Sequence, residues 1–127
     1  MGSLRGRVVT AEEGASAPLR VEGITFRYRA RPEPALRDVS LTLHQGELLL
    51  LAGTSGCGKT TLIRCINGLI PRSYKGDLSG RILVHGGETS EMPLSRLSQH
   101  VGTVLQDPER QILGAHVFTE VAFGLEN

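Results

Sequence analysis

Leu48 to Ala52 is an unbroken apolar run that stops abruptly at Gly53-Thr54-Ser55-Gly56-Cys57-Gly58-Lys59-Thr60, and that junction limits the fold more than anything else in the chain. Apolar residues without alternation are the pattern of a strand covered on both faces, as in a parallel sheet. Past the loop, Leu62, Ile63, Ile66, Leu69 and Ile70 recur at helical spacing as far as Pro71, so the predicted order is strand, glycine-rich loop, helix. The loop fits G-x-x-x-x-G-K-[ST] at every fixed position. Gly53, Gly56 and Gly58 permit positive φ, which turns N–H groups inward and, with the helix N-terminus, surrounds phosphate oxygens with partial positive charge. Lys59 adds a mobile full charge for the β and γ phosphates, Thr60 a hydroxyl for magnesium, and Thr61 a further donor. The expected ligand is a nucleoside triphosphate held by Gly53 through Thr61, with Thr54, Ser55 and Cys57 at the variable positions of the loop.

At 127 residues the chain is one domain at most, and short for most enzymes built on such a loop. Its 14 basic and 13 acidic residues are scattered, which leaves no basic stripe for nucleic acid. The two cysteines, Cys57 and Cys65, form neither a metal-ligand spacing nor a redox pair, and they fit a reducing compartment. No apolar run approaches the roughly 18 residues of a membrane span, and the N-terminus lacks the apolar stretch of a signal peptide. The expectation is a soluble or peripheral protein.

Met1 to Pro18 has no periodicity and reads as a mobile arm. Leu19 to Tyr28 alternates but changes parity at Glu22-Gly23, which predicts a strand with a glycine bulge. Val39, Leu41 and Leu43 predict a second strand, antiparallel to the first. Residues 72–77 read as a polar loop, Arg81 to His85 as a strand closed by the turn Gly86-Gly87, and residues 93–99 as a helix begun by Pro93. Val101 to Gln106 predicts another strand, and Thr119 the cap of a helix over Glu120 to Leu125.

Three features then make Leu19 to Asn127 resemble the N-terminal part of an ATP-binding cassette (ABC) ATPase, the motor subunit of ABC transporters. Tyr28 closes a strand upstream of the loop, like the family's tyrosine that stacks on adenine. Gln106 closes a strand downstream and resembles the family's Q-loop glutamine, which meets magnesium and the attacking water. Gln106-Asp107-Pro108-Glu109-Arg110-Gln111-Ile112, continuing to Val121-Ala122-Phe123-Gly124-Leu125-Glu126-Asn127, is similar to the Q-loop and following helix of energy-coupling factor (ECF) ATPases, which drive uptake of vitamins and of nickel or cobalt ions.

The resemblance implies an α/β fold over 19–127: a P-loop NTPase core, a parallel sheet with flanking helices, joined to an antiparallel β subdomain. It implies ATP and Mg2+ as cofactors, Lys59 and Gln106 as catalytic residues, Thr60 and Gln106 at the metal, and Tyr28 at the base. It also implies two partners. One is a second ATPase subunit, making a homo- or heterodimer, and the other is a transmembrane transporter subunit docked on the segment after Gln106, where Pro108, Ile112, Leu113, Val117 and Phe118 are apolar. The implied location is peripheral, on the cytoplasmic face of the cell membrane.

The family's signature Leu-Ser-Gly-Gly-Gln, its apolar strand ending in Asp then Glu, and its switch histidine are not found up to Asn127, so the chain is expected to be a truncated N-terminal fragment without activity of its own. Leu78-Ser79-Gly80-Arg81 precedes Gln106 and runs into a strand, which disqualifies it as the signature, and His44, His85, His100 and His116 come too early to be the switch. A small kinase or GTPase would need a substrate lid or an Asn-Lys-x-Asp base reader, and neither is found. The alternative reading is a non-catalytic nucleotide-binding domain, or an inert truncated P-loop product.

Overall fold

Where the parity of the first strand changes, the chain forms a bulge. The computed structural model describes residues 17–54, 56 and 58–104. Strand β1, Leu19–Tyr28, buries Val21 before the irregularity and Ile24 and Phe26 after it, so the extra residue keeps every large apolar side chain on one face. Gly23 sits at the break with φ of 59°, and its N–H donates to Ser40 Oγ at 2.9 Å. The ladder to β2, Leu36–Leu43, shifts register between Val21 and Ile24. That pairing is antiparallel, and β2 turns Leu36, Val39 and Leu41 into the same core.

On the other side of β1 lies β3, Gly76–Val84, also antiparallel. It is longer than expected, because the polar residues Gly76 and Asp77 pair with Tyr28 and Arg27 rather than remaining in a loop. Asp77 also forms an ion pair with Arg27. Tertiary pairing supplies ladder bonds that composition cannot announce. His85 and Gly86, both at positive φ, turn the chain into β4, Gly87–Glu88, and the sheet order is β2-β1-β3-β4.

Helix α1, Lys59–Ile66, lays Thr61, Leu62 and Cys65 against this sheet. It ends before Pro71, earlier than the periodicity suggested. Gly68 has φ of 83°, and Asn67 Oδ1 accepts the Leu69 N–H at 3.1 Å, which turns the chain into the short α2, Leu69–Arg72. Arg72 then donates to the carbonyls of Gly68, Thr89 and Met92, tying α2 to the 3-10 turn Thr89–Glu91. Helix α3, Leu94–Leu97, is shorter than the expected 93–99: Pro93, with ψ of 144°, precedes it as the N-cap, and Leu97 is buried in the core.

The mixed α/β class and the antiparallel layer stand as read, but the apolar run before the loop does not form the expected buried strand. Among the described residues no strand pairs with 48–52, and burial along the run alternates. Leu49 and Leu51 pack on the core, while Leu48 is 98% and Leu50 84% exposed. A doubly covered parallel strand requires neighbours on both sides and helices on both faces, and the described sheet is wholly antiparallel. The same holds at 101–104: Val101 touches the core, Val104 is exposed, and neither pairs. Residues 105–127, with Gln106 and the predicted helix over 120–125, lie outside the described residues, as do 1–16.

Candidate functional site

The end of β1 and the start of α1 converge on one cavity of about 690 Å³. Its floor is the glycine-rich loop and first helical turn, through Gly56, Gly58, Lys59, Thr60 and Thr61. Its wall is aromatic and basic, through Tyr28, Arg31, Arg64 and Tyr74. Tyr28 and the loop, distant in sequence, therefore border the same space. The volume falls within the range of ordinary small-molecule and cofactor sites.

The loop's shape follows from its glycines. Gly56 and Gly58 have φ of 80° and 104°, a region closed to most side chains, and Gly58 caps α1 directly. Gly53 instead contributes its carbonyl: Lys59 Nζ donates to Gly53 O at 2.5 Å and to Thr54 O at 2.9 Å. The lysine thus bridges the two ends of the loop, a hold that a phosphate in the cavity would compete for by charge. The first turn of α1 contains no acidic residue to offset the partial positive charge of its N-terminus. Ser55 and Cys57 lie outside the described residues.

Thr60 is exposed on the cavity lining, and Thr61, one residue on, is buried. Among the described residues no cluster of three or more His, Cys, Asp or Glu could hold a metal. A single hydroxyl suits Mg2+ bound mainly through phosphates and water, since that ion dehydrates reluctantly and seldom occupies an all-protein cage.

Tyr28 is held on several sides. Its hydroxyl lies 2.9 Å from Thr61 Oγ1 and accepts from Arg64 Nη1 at 3.0 Å. Phe26 meets its ring edge-on with centroids 4.8 Å apart, Tyr74 does so at 6.4 Å, and the Arg31 guanidinium sits 5.8 Å from its centroid. Arg64 in turn stacks over Tyr74 at 4.1 Å. Guanidinium can only donate, so Tyr28 accepts from Arg64, while between the Tyr28 and Thr61 hydroxyls either can be the donor.

The sequence pointed to Tyr28 and the loop but passed over Arg31, Arg64 and Tyr74. Arg64 carried a signal, lying one turn beyond Thr61 on the same helical face. Tyr74 carried none, because it follows a kinked segment whose direction periodicity does not reveal. Cys65, by contrast, faces the core, and burial pushes its thiol up to about 12.

Comparison with known proteins gives the family. The ABC transporter family matches residues 36–120. A candidate ABC transporter ATP-binding protein of Lactiplantibacillus plantarum is 48% identical over 113 residues, covering 88% of this chain and 20% of that protein. Another from Methanosarcina mazei is 44% identical over 115 residues, covering 91% and 20%. The chain therefore spans about a fifth of the length of these relatives. Among solved structures, a bacterial Atm1-family ABC exporter with ATP bound superposes with a TM-score of 0.60 at 26% identity, over 80% of this chain and 17% of the exporter. With a glycine-rich loop capping α1, a tyrosine from β1 on the same cavity, and a family match over most of its length, the chain belongs to the ABC transporter family.

Proposed function

We propose that this chain is the nucleotide-binding part of a transporter's ATP-binding subunit, taking Mg-ATP in the cavity between β1 and α1. The observation that carries the reading is the shared cavity, which a phosphate-type loop and an aromatic side chain from β1 line together. Tyr28 stacks on the base. Gly53, Thr54, Ser55, Gly56, Cys57 and Gly58 cradle the phosphates with Thr61, Lys59 neutralises the β and γ phosphates, and Thr60 meets Mg2+. Gln106, outside the described residues, completes the metal and water contacts in this reading. The folded unit takes in Ala17, which is buried, and Pro18, whose carbonyl accepts from the His85 N–H at 3.0 Å, as well as Leu19 onward.

Hydrolysis belongs to an assembly. Phosphoryl transfer depends on positioning and charge stabilisation, so the proposal places a second ATPase subunit over the γ phosphate and a membrane-spanning subunit against the segment after Gln106. The protein is then peripheral, on the cytoplasmic face of the membrane. Among the described residues no helix is long and apolar enough to cross a membrane itself. The importer reading, and the ECF type within it, is supported by the resemblance of residues 106–112 and 121–127.

The test is titration calorimetry of the full-length protein with Mg-ATP, followed by phosphate release from the subunit assembled with its membrane partner. One nucleotide per chain and partner-dependent release are expected. Failure of the folded protein to bind ATP overturns the site. Binding without release from the assembly overturns the motor function and leaves the nucleotide as a ligand of the fold.

A further inference from the structure

Beside the loop and Tyr28, the cavity is lined by a basic and an aromatic side chain that no motif explains. Arg64 projects from the second turn of α1 and makes two different contacts at once. Its Nη1 donates to the Tyr28 hydroxyl at 3.0 Å, and its guanidinium plane lies over the Tyr74 ring at 4.1 Å. Arg64 and Tyr74 are both half-buried, so the arginine is braced against an aromatic surface rather than left to sample solvent. Arg31, over the Tyr28 ring, is exposed and lies 5.8 Å from its centroid, and it is Arg64 that bonds the hydroxyl.

A tyrosine at the end of a strand has rotational freedom about its side-chain bonds, and a stacking platform is useful only when its plane is set before the ligand arrives. Hydrophobic contact with Phe26 restrains one edge of the ring. The hydroxyl end is restrained by Thr61 and Arg64. Thr61 already lies on the floor of the site, whereas Arg64 brings in the separate support of Tyr74 from beyond α2.

We propose that Arg64, braced on Tyr74, is a positioning residue for the base subsite: it holds the Tyr28 ring at the angle required to stack a flat nucleotide base, and it adds nothing to the binding of the phosphates. This rests on the reading of Tyr28 as the base platform. Arg64 acts through the tyrosine hydroxyl, so its effect belongs to ligands that carry a base and vanishes where the hydroxyl is absent.

The experiment measures the affinity of the full-length protein for two ligands, ATP and inorganic tripolyphosphate, which has the phosphates and no base. The variants are Arg64→Met, Tyr28→Phe, the double variant, and Tyr28→Ala. Loss of a hydrogen bond of this kind predicts ATP affinity about 2- to 10-fold weaker in Arg64→Met, with tripolyphosphate affinity unchanged. In the Tyr28→Phe background, Arg64→Met should cause no additional loss. A parallel fall for ATP and tripolyphosphate overturns the proposal, because Arg64 would then act on the phosphates or on the fold. An ATP affinity unmoved by Arg64→Met overturns it as well, and so does a full additive loss in the double variant. The underlying reading fails separately: if Tyr28→Ala leaves ATP affinity intact, Tyr28 is no base platform, whereas loss in Tyr28→Ala without loss in Arg64→Met removes only the role of Arg64.

Discussion

The hydroxyl of Tyr28, the last residue of β1, lies 2.9 Å from Oγ1 of Thr61 in the first turn of α1. This contact joins the sheet to the helix that follows the phosphate-type loop, on the lining of the cavity. It also ties the side chain expected to meet the base to one expected to meet phosphate. Thr61 is only 6% exposed, yet it lines the cavity.

That geometry changes what is expected of Tyr28→Phe. A bare stacking platform would tolerate phenylalanine, but here the variant leaves Thr61 and Arg64 without their shared partner. The expected loss in ATP affinity is about 0.5 to 1.5 kcal/mol for Tyr28→Phe and about 1 to 3 kcal/mol for Tyr28→Ala, which removes the ring as well. Calorimetry on folded protein gives the order. Wild-type affinity in Tyr28→Phe would show that the hydroxyl bonds do not position the ring.

Lys59→Ala removes the one full positive charge on the loop itself. Charge-assisted bonds to phosphate are worth about 1.5 to 3 kcal/mol, which corresponds to ATP binding about 10- to 150-fold weaker. The variant also loses the bridge to Gly53 and Thr54, so amide exchange along 53–54 should rise in the absence of nucleotide. Unchanged ATP affinity would remove the loop from the functional argument.

Gly68→Ala should destabilise the fold while leaving the nucleotide site in place. A Cβ there would lie 2.7 Å from both Leu97 Cδ2 and Arg72 Nη1, at a backbone φ of 83°. Left-handed backbone and overpacking together predict a loss of about 2 to 4 kcal/mol. The readout is the midpoint of urea unfolding, and a midpoint equal to wild type would contradict the packing described for α2 and α3.

Cys65 supplies a pH dependence with a defined sign. Burial raises its thiol from 9.0 to about 12, so the native protein keeps the proton after the unfolded chain has released it. Its contribution to stability is complete below pH 9 and is lost as the pH climbs from 9 toward 12, at about 1.4 kcal/mol per pH unit. Urea midpoints across that range should fall less steeply in Cys65→Ala. Native Cys65 should also resist iodoacetamide at pH 8 and react once the chain is unfolded.

Local pattern was enough for the elements whose stability is local or repetitive. The bulge at Gly23 was legible because one-sided burial forces a parity change into view, and the loop was legible because backbone close to a phosphate demands glycine at set positions. The start of α3 was legible only to within a residue, because Pro93 stands before the helix as its N-cap, with ψ of 144°, and not in its first turn. Less visible were the true end of α1 and the beginning of β3. The first depends on Gly68 fitting between Arg72 and Leu97, the second on Asp77 finding Arg27.

By itself, then, the sequence determined the phosphate-type loop, the strand ending in Tyr28, the antiparallel pair β1 and β2, and through these the family. Those features are written in residue types at short, regular spacing, where backbone geometry restricts the choice directly. Only the tertiary structure decided that Leu48 and Leu50 stand exposed while Leu49 and Leu51 pack, since burial depends on which neighbours arrive and not on how apolar a segment is. It alone decided that Arg64, Tyr74 and Thr61 gather around Tyr28. Their meeting joins β1, α1 and the segment after the turn at Gly68, through contacts between residues far apart in the chain.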